Sequence, residues 1–432
     1  MTRRARILLV LALIAFALLA ALFWISRPRN VAAIVTNRVG AALGLEITAD
    51  GSSEYRLRGT PLLVLRDVVV REPGATRALL NARRIHVALP WSTLRSGFGD
   101  LVAQRIELDS PRLDLPALQH WLSTRPPSAQ KRLPTLTEGL AISNGEIVND
   151  DWRIDGIHAD MPMLDPGQPM RARLKGRYLD PPLSIPVDLA VSLVSPGALL
   201  TADTTGFATH GTITIAHGKG ARNDSWRVPA TVALSGPLRF GSDELRITPA
   251  HLGVAAAIET GSARIPFALG LHGPLLFDEA TWTLAPAGVA LRQRGHIESD
   301  PVPTLDARGM LALGRKLSLR LDGELAQWPQ PWPALPPPIG QSRSVLPFAL
   351  RYDGASNLAD TTSLKLRRDA TRFDGRFRLP HVLQWIGQKA GTPLPPLAGT
   401  LTTPELEVSG ARLEGVEIQF NDSAAATPGA TQ

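Results

Sequence analysis

Side chains able to do chemistry are few in this sequence and widely spaced. The nine histidines (His86, His120, His158, His210, His217, His251, His272, His296 and His381) include no pair four residues apart with a carboxylate at ligand spacing, so no zinc-protease pattern is present. His210 and His217 bracket one expected strand and read as turn residues. Asn149-Asp150-Asp151 with Asp155 is the densest acidic cluster. It lacks the glycine and closing glutamate of a calcium loop, and Asn and Asp are ordinary hairpin-turn residues. His217-Gly218-Lys219-Gly220 has neither the glycine spacing of a phosphate loop nor a Ser or Thr after the lysine, and reads as a hairpin tip. No Gly-x-Ser-x-Gly elbow occurs. With no cysteine, thiolate nucleophiles, thiolate metal sites and disulfides are excluded. Trp328 and Trp332, in a Pro-rich stretch, suit either a carbohydrate or partner contact or a hydrophobic clasp over β-structure. The expectation is a chain that is not an enzyme, with no catalytic residue, no metal and no cofactor.

What remains is the pattern of elements. The 432 residues are 44% hydrophobic and include 37 Gly and 37 Pro, enough apolar content for a packed interior. The net charge of +7 comes from arginines spread singly along the chain, which fits a solvated outer face better than a basic patch. Only 3 Tyr and 11 Phe are present, so base-stacking platforms are scarce and no nucleic-acid partner is expected. From Glu46 onward apolar and polar residues alternate: Ile85/Val87/Leu89/Trp91, Ile106/Leu108, Leu113/Leu115, Ile213/Ile215, Val232/Leu234, Leu245/Ile247, Leu311/Leu313, Leu317/Leu319/Leu321, Leu364/Leu366 and Val416/Ile418/Phe420. A period of two predicts strands with one apolar and one wet face. Helices are expected only at 31–43, 116–123 and 380–389; residues 125–134 and 328–340 read as loops, and the tail from 421 as disordered.

Ile7 to Ile25 contains no charge, follows Arg3, Arg4 and Arg6, and ends beside Trp24. Nineteen residues at 1.5 Å each make about 28 Å of helix, the thickness of a bilayer's hydrocarbon. No small-x-small cleavage site follows, so an uncleaved anchor with its N-terminus in the cytoplasm is expected.

A repeat with an offset of 37 residues links Pro229 to Pro266, Gly236 to Gly273, Pro237 to Pro274, Phe240 to Phe277 and Pro249 to Pro286. A partial copy runs from Leu346 to Gly354. The unit reads as a strand opened by proline and turned at glycine into its hairpin partner, which puts Gly236, Gly273 and Gly354 at matching turn or bulge positions. Such units suggest an array that buries apolar surface against its neighbours.

Three segments resemble the start of AsmA-type envelope proteins of Gram-negative bacteria, a group that includes TamB-like chains: Leu57-Arg-Gly-Thr-Pro-Leu-Leu-Val-Leu-Arg-Asp-Val68, Ala82-Arg-Arg-Ile-His-Val-Ala-Leu89 and Ile106-Glu-Leu-Asp-Ser-Pro-Arg-Leu-Asp-Leu115. Thr400 to Phe420, with Gly410 and Gly415, is similar to the family's closing repeats. The resemblance implies a mainly β protein: an elongated antiparallel repeating β-groove, open or partly closed, preceded by one transmembrane helix. The expected organisation is an anchor at 1–28, a membrane-proximal β/α start at 29–124, a linker at 125–134, the repeating region at 135–420 and a tail at 421–432. The implied role is phospholipid transfer from the inner membrane toward the outer membrane and support of envelope integrity, with the bulk of the chain in the periplasm. Phospholipids, the inner membrane and outer-membrane or other envelope proteins are the expected partners. The alternative is a structural or assembly factor that docks envelope or secretion proteins. The expected groove lining is Ile106, Leu108, Ile213, Ile215, Val232, Leu234, Leu269, Leu271, Leu319 and Leu321.

Overall fold

The computed structural model describes residues 36–37, 40–41, 44–51, 53–56, 59–95, 102–124, 133–181, 183–217, 226–241, 244–260, 263–294, 302–329, 344–355, 358–382, 396–408 and 411–421. The apolar run at 7–25 lies outside them, as do most of the helices expected over 31–43 and 380–389. Among the described residues no helix is long and apolar enough to cross a membrane. The protein is mainly β, with a largely antiparallel sheet and few helices, and it divides into two compact units at residues 1–200 and 201–432.

In the first unit β1 (Glu46–Ala49) and β2 (Glu54–Arg56) both pair with β3 (Leu62–Arg71), which pairs with β4 (Ala78–Ala88). Pro90 ends the alternation begun at Ile85. Trp91, expected to continue that strand, instead opens helix α1 (Trp91–Arg95), and its indole N–H donates to the Gly59 carbonyl at 2.8 Å. A two-residue strand, β5 (Val102–Ala103), follows. Then β6 (Arg105–Asp109) and β7 (Arg112–Asp114) lie along β4, and helix α2 (Leu115–Thr124) begins where Leu115 was expected to extend the strand. Asp114 caps that helix by accepting the Ala117 N–H at 3.0 Å, and Pro116 costs it no backbone bond in the first turn. After β8 (Thr135–Leu136), which pairs with β5, the chain enters β9 (Leu140–Val148), parallel to β6 and β7. A parallel neighbour requires a crossover, and α2 is its helix. It packs Ala117, Leu118 and Trp121 over a core of Leu45, Leu65, Val68, Val70, Leu79 and Ala82. β10 (Arg153–Met161), β11 (Met170–Asp180) and β12 (Leu183–Leu193) extend the sheet antiparallel.

The second unit is an antiparallel meander: β13 (Thr204–His217), β14 (Trp226–Phe240), β15 (Leu245–Thr260), β16 (Ala263–Asp278), β17 (Thr281–Gln293), β18 (Thr304–Leu313), β19 (Leu317–Gln327), β20 (Leu346–Gly354), β21 (Thr361–Arg368), β22 (Thr371–Arg378), β23 (Leu397–Val408) and β24 (Ala411–Phe420). Each strand pairs with the next.

The 37-residue period is two strands long, so β14–β15 and β16–β17 are successive copies of one hairpin. Two details differ from the expectation. Pro229 and Pro266 are the fourth residues of β14 and β16 and do not open them. Gly236 and Gly273 are not hairpin turns but sit inside the strands, at register shifts between Ser235 and Leu238 and between His272 and Leu275. Further shifts follow at Ile247/Ala250 and Leu284/Ala287, where Pro249 and Pro286 lie. Proline has no N–H for the ladder, and at these two positions a bulge accommodates it. The missing Cβ of each glycine admits the carbonyl of Pro249 or Pro286 from the next strand. These bulges draw a crease across four adjacent strands. Gly309 stands on the same line on β18, facing the Arg320 carbonyl. Gly354 does not share it: it ends β20 beside Asp360, whose carboxylate accepts the Ala355 N–H at 2.7 Å.

A candidate apolar binding face

Register decides which side chains share a face. Leu234, Leu252, Leu271, Val289, Ala307, Gly323, Phe348, Leu366, Phe373, Leu401 and Ile418 are cross-strand partners in unbroken succession from β14 to β24. At about 4.8 Å per strand that row covers about 48 Å of sheet. A parallel row runs Val232, Val254, Leu269, Leu291, Leu305, Leu325 and Leu346. Ile213 and Ile215 of β13 join through Ala230 and Val228, and Leu319 and Leu321 pair with Leu311 and Gly309. All eight second-unit residues expected to line a groove therefore lie on one face. Ile106 and Leu108 belong to the first unit, where they stand opposite Val87 and Ile85 on one side and Leu140 and Ile142 on the other.

The opposite face of the second unit carries scattered basic residues, several of them with a cross-strand acid. Arg227 pairs with Glu259 at 2.5 Å, Arg292 with Asp306 at 2.6 Å, Arg351 with Asp322 at 2.8 Å and Lys365 with Asp374 at 2.8 Å. These exposed pairs add little stability singly, but they hold that face in water and so fix which face stays apolar.

The apolar face is graded. From β17 to β23 the middle of the face is largely sealed: Leu284, Val289, Ala307, Leu325, Phe348 and Leu366 are buried, and Leu346 and Leu401 are 0% and 1% exposed, while Trp282 and Leu313 at the hairpin tips stay exposed. Leu321 belongs to this sealed part at 8%. From β13 to β16 Ile213, Ile215, Val232, Leu234, Leu269 and Leu271 are half-buried, while Ala230, Leu238, Ile247 and Ala256 of the same face are buried. No helix of the second unit covers that stretch among the described residues. Leu346, Phe348, Val289 and Leu401 went unselected in the sequence, although β20 carries a plain alternation through Leu346, Phe348, Leu350 and Tyr352. In β17 and β23, prolines and threonines interrupt the period and hide it.

The buried polar groups on the face include Tyr352, Thr362, Arg368, Thr371 and Thr403. Burial raises the Tyr352 phenol above its ordinary value, and its O–H donates to the Ala355 carbonyl at 2.5 Å. Thr371 and Thr403 are buried and share a hydrogen bond of 3.0 Å. Among the described residues no group of three or more His, Asp or Glu is gathered as a metal site. The wall from β13 to β16 can offer dispersion contact and exclusion of water, which suits alkyl chains. No family model, curated protein or solved structure matches the chain.

Proposed function

We propose that the second unit holds phospholipid acyl chains against the aliphatic wall of β13–β16. In this reading the run at 7–25 anchors the chain in the inner membrane, and the β-units lie in the periplasm as a non-catalytic groove for lipid moving toward the outer membrane. The supporting observation is the continuous, mostly apolar register from β14 to β24 with half-buried leucines, valines and isoleucines at its β13–β16 end. Each buried CH₂ is worth about 0.8 kcal/mol, so part of one acyl chain along this wall is retained without any reacting group. Carriage of this kind needs no acid, base or nucleophile.

The test is mass spectrometry of lipid copurified with the full chain and with Leu271→Glu. A folded variant stripped of phospholipid supports the reading, since a carboxylate in hydrocarbon costs several kcal/mol. A wild-type chain that copurifies without lipid overturns it. The sealed stretch around Leu346 and Leu401 favours a second reading, in which the meander is a filled scaffold that docks other envelope proteins. That reading predicts that Leu271→Glu unfolds the unit.

A further inference from the structure

At one side of the meander the strands end in hairpin tips, and the last apolar position before each tip forms its own row. Phe240, Leu245, Phe277, Trp282, Leu313 and Leu317 are successive cross-strand partners on the apolar face. The row inside it, running through Leu238, Ile247 and Leu284, is buried by the crease. The tip row is not: Phe240, Trp282 and Leu313 are 48%, 38% and 48% exposed. The Phe277 and Trp282 rings lie 4.7 Å apart, so the aromatic surface is continuous across that hairpin. Beyond the row the chain turns polar, with Glu279 and Ala280 at one tip and Arg315 and Lys316 at the next.

We infer that this tip row dips into the interfacial layer of a phospholipid bilayer and brings the mouth of the proposed groove onto the membrane; the inference rests on the lipid-carrying reading above. Two observations choose a bilayer over a protein. With about 150–250 Å² per aromatic side chain, the exposed row offers on the order of 300 Å², whereas a stable protein interface takes about 800 Å² from each partner. An aromatic row one residue deep with charged turns just past it is the arrangement that favours the headgroup boundary, where Trp and Phe lie flat and charges stay wet. The charges around the tips are mixed, Arg239, Arg246, Arg315 and Lys316 against Glu244, Asp278 and Glu279, so docking is insensitive to salt and needs no anionic lipid.

The chain has no cysteine, so a single introduced one reports one place. Leu313→Cys on the tip row, Ala312→Cys on the opposite face of the same tip and Leu271→Cys on the inner wall are each labelled with a nitrobenzoxadiazole maleimide. The full chain is reconstituted into phosphatidylcholine vesicles with or without brominated acyl chains. A bilayer around the tip reaches both of its faces, so the labels at 312 and 313 lose most of their emission to bromine, equally in low and high salt. Quenching at 313 without 312, or at neither, overturns the inference. The label at 271 reports groove lipid separately. Its quenching with unquenched tips leaves the carrier reading standing and removes the docking. Quenched tips with an unaffected 271 remove the carrier reading and leave the docking.

Discussion

Leu234 and Leu346 are both leucines on the apolar face of one meander, yet one is half-buried and the other wholly enclosed. A glutamate at 346 is enclosed away from water, whereas at 234 it can turn toward solvent. Leu346→Glu is expected to cost about 3–5 kcal/mol and Leu234→Glu about 1 kcal/mol or less, as read by urea unfolding of the full chain. Equal losses at the two positions would show that the wall is as closed as the core. In the first unit Glu107 receives the Arg105 Nε–H at 2.7 Å, with Arg84 and His86 within 3.4 Å. The Arg105 hydrogen bond holds its carboxyl below the usual range, against a smaller opposing effect of burial. A depressed folded-state pKa stabilises above the unfolded value of 4.5 and is lost as pH falls through the folded one. Glu107→Gln should therefore weaken the β4–β6 pairing by about 0.5–1 kcal/mol at pH 7, a difference that shrinks as pH falls through the lowered folded-state value. Hydrogen exchange of the β4 and β6 amides at neutral and at acid pH measures it.

Among the elements, the strands were legible where a simple alternation survives, as in β6, β14, β19 and β20. They were not where a local residue overrides the period. Pro90 turns Trp91 out of β4, and Asp114 caps a helix that takes Leu115 from β7. The parallel seating of β9 beside β6 and β7 was also hidden, because it is decided by the path of α2 and leaves no periodic trace. Glycine and proline announced the 37-residue unit, but not that its glycines lie inside strands, since a turn and a bulge ask for the same residues. The true tip between β16 and β17 is Glu279-Ala280, both at positive φ, a pair with no turn signature in sequence. Gly273 has φ 143°, and a Cβ there would strike the Pro286 carbonyl. Gly273→Ala is expected to destabilise the second unit by about 1–3 kcal/mol, whereas Gly253→Ala, with open space around it, should change little. Thermal melts of the two variants compare them directly, and matching melts would mean that the crease tolerates a side chain.

On the scale of the whole molecule, the period of two from Glu46 onward marked a β protein with one wet and one dry side, and the dispersed arginines fitted the wet one. It could not mark the gradient from open to sealed, which depends on what packs where after folding. It left the candidate site as a set of leucines and isoleucines chosen by period, among which Leu321 proved enclosed. If 7–25 is an uncleaved anchor, the mature chain retains its first residues and sediments with the inner membrane. Terminal sequencing of the purified membrane-bound protein checks this, and a mature start beyond Ile25 contradicts it.

The bulged hairpin of β14–β15 and β16–β17 also bears on how such a chain can change size. A segment of 37 residues leaves the sheet on the side where it entered, carries its own two bulges and presents its leucines to the same face. Duplicating or deleting one therefore alters the width of the dry wall by about 10 Å, two strand spacings, and leaves every other strand's direction unchanged. Gain or loss of a single strand would send the rest of the chain the opposite way along the sheet and misplace every later connection. Capacity in this architecture is thus countable: it can grow or shrink by whole hairpins, and the spacing between Gly236 and Gly273 is the length of one increment.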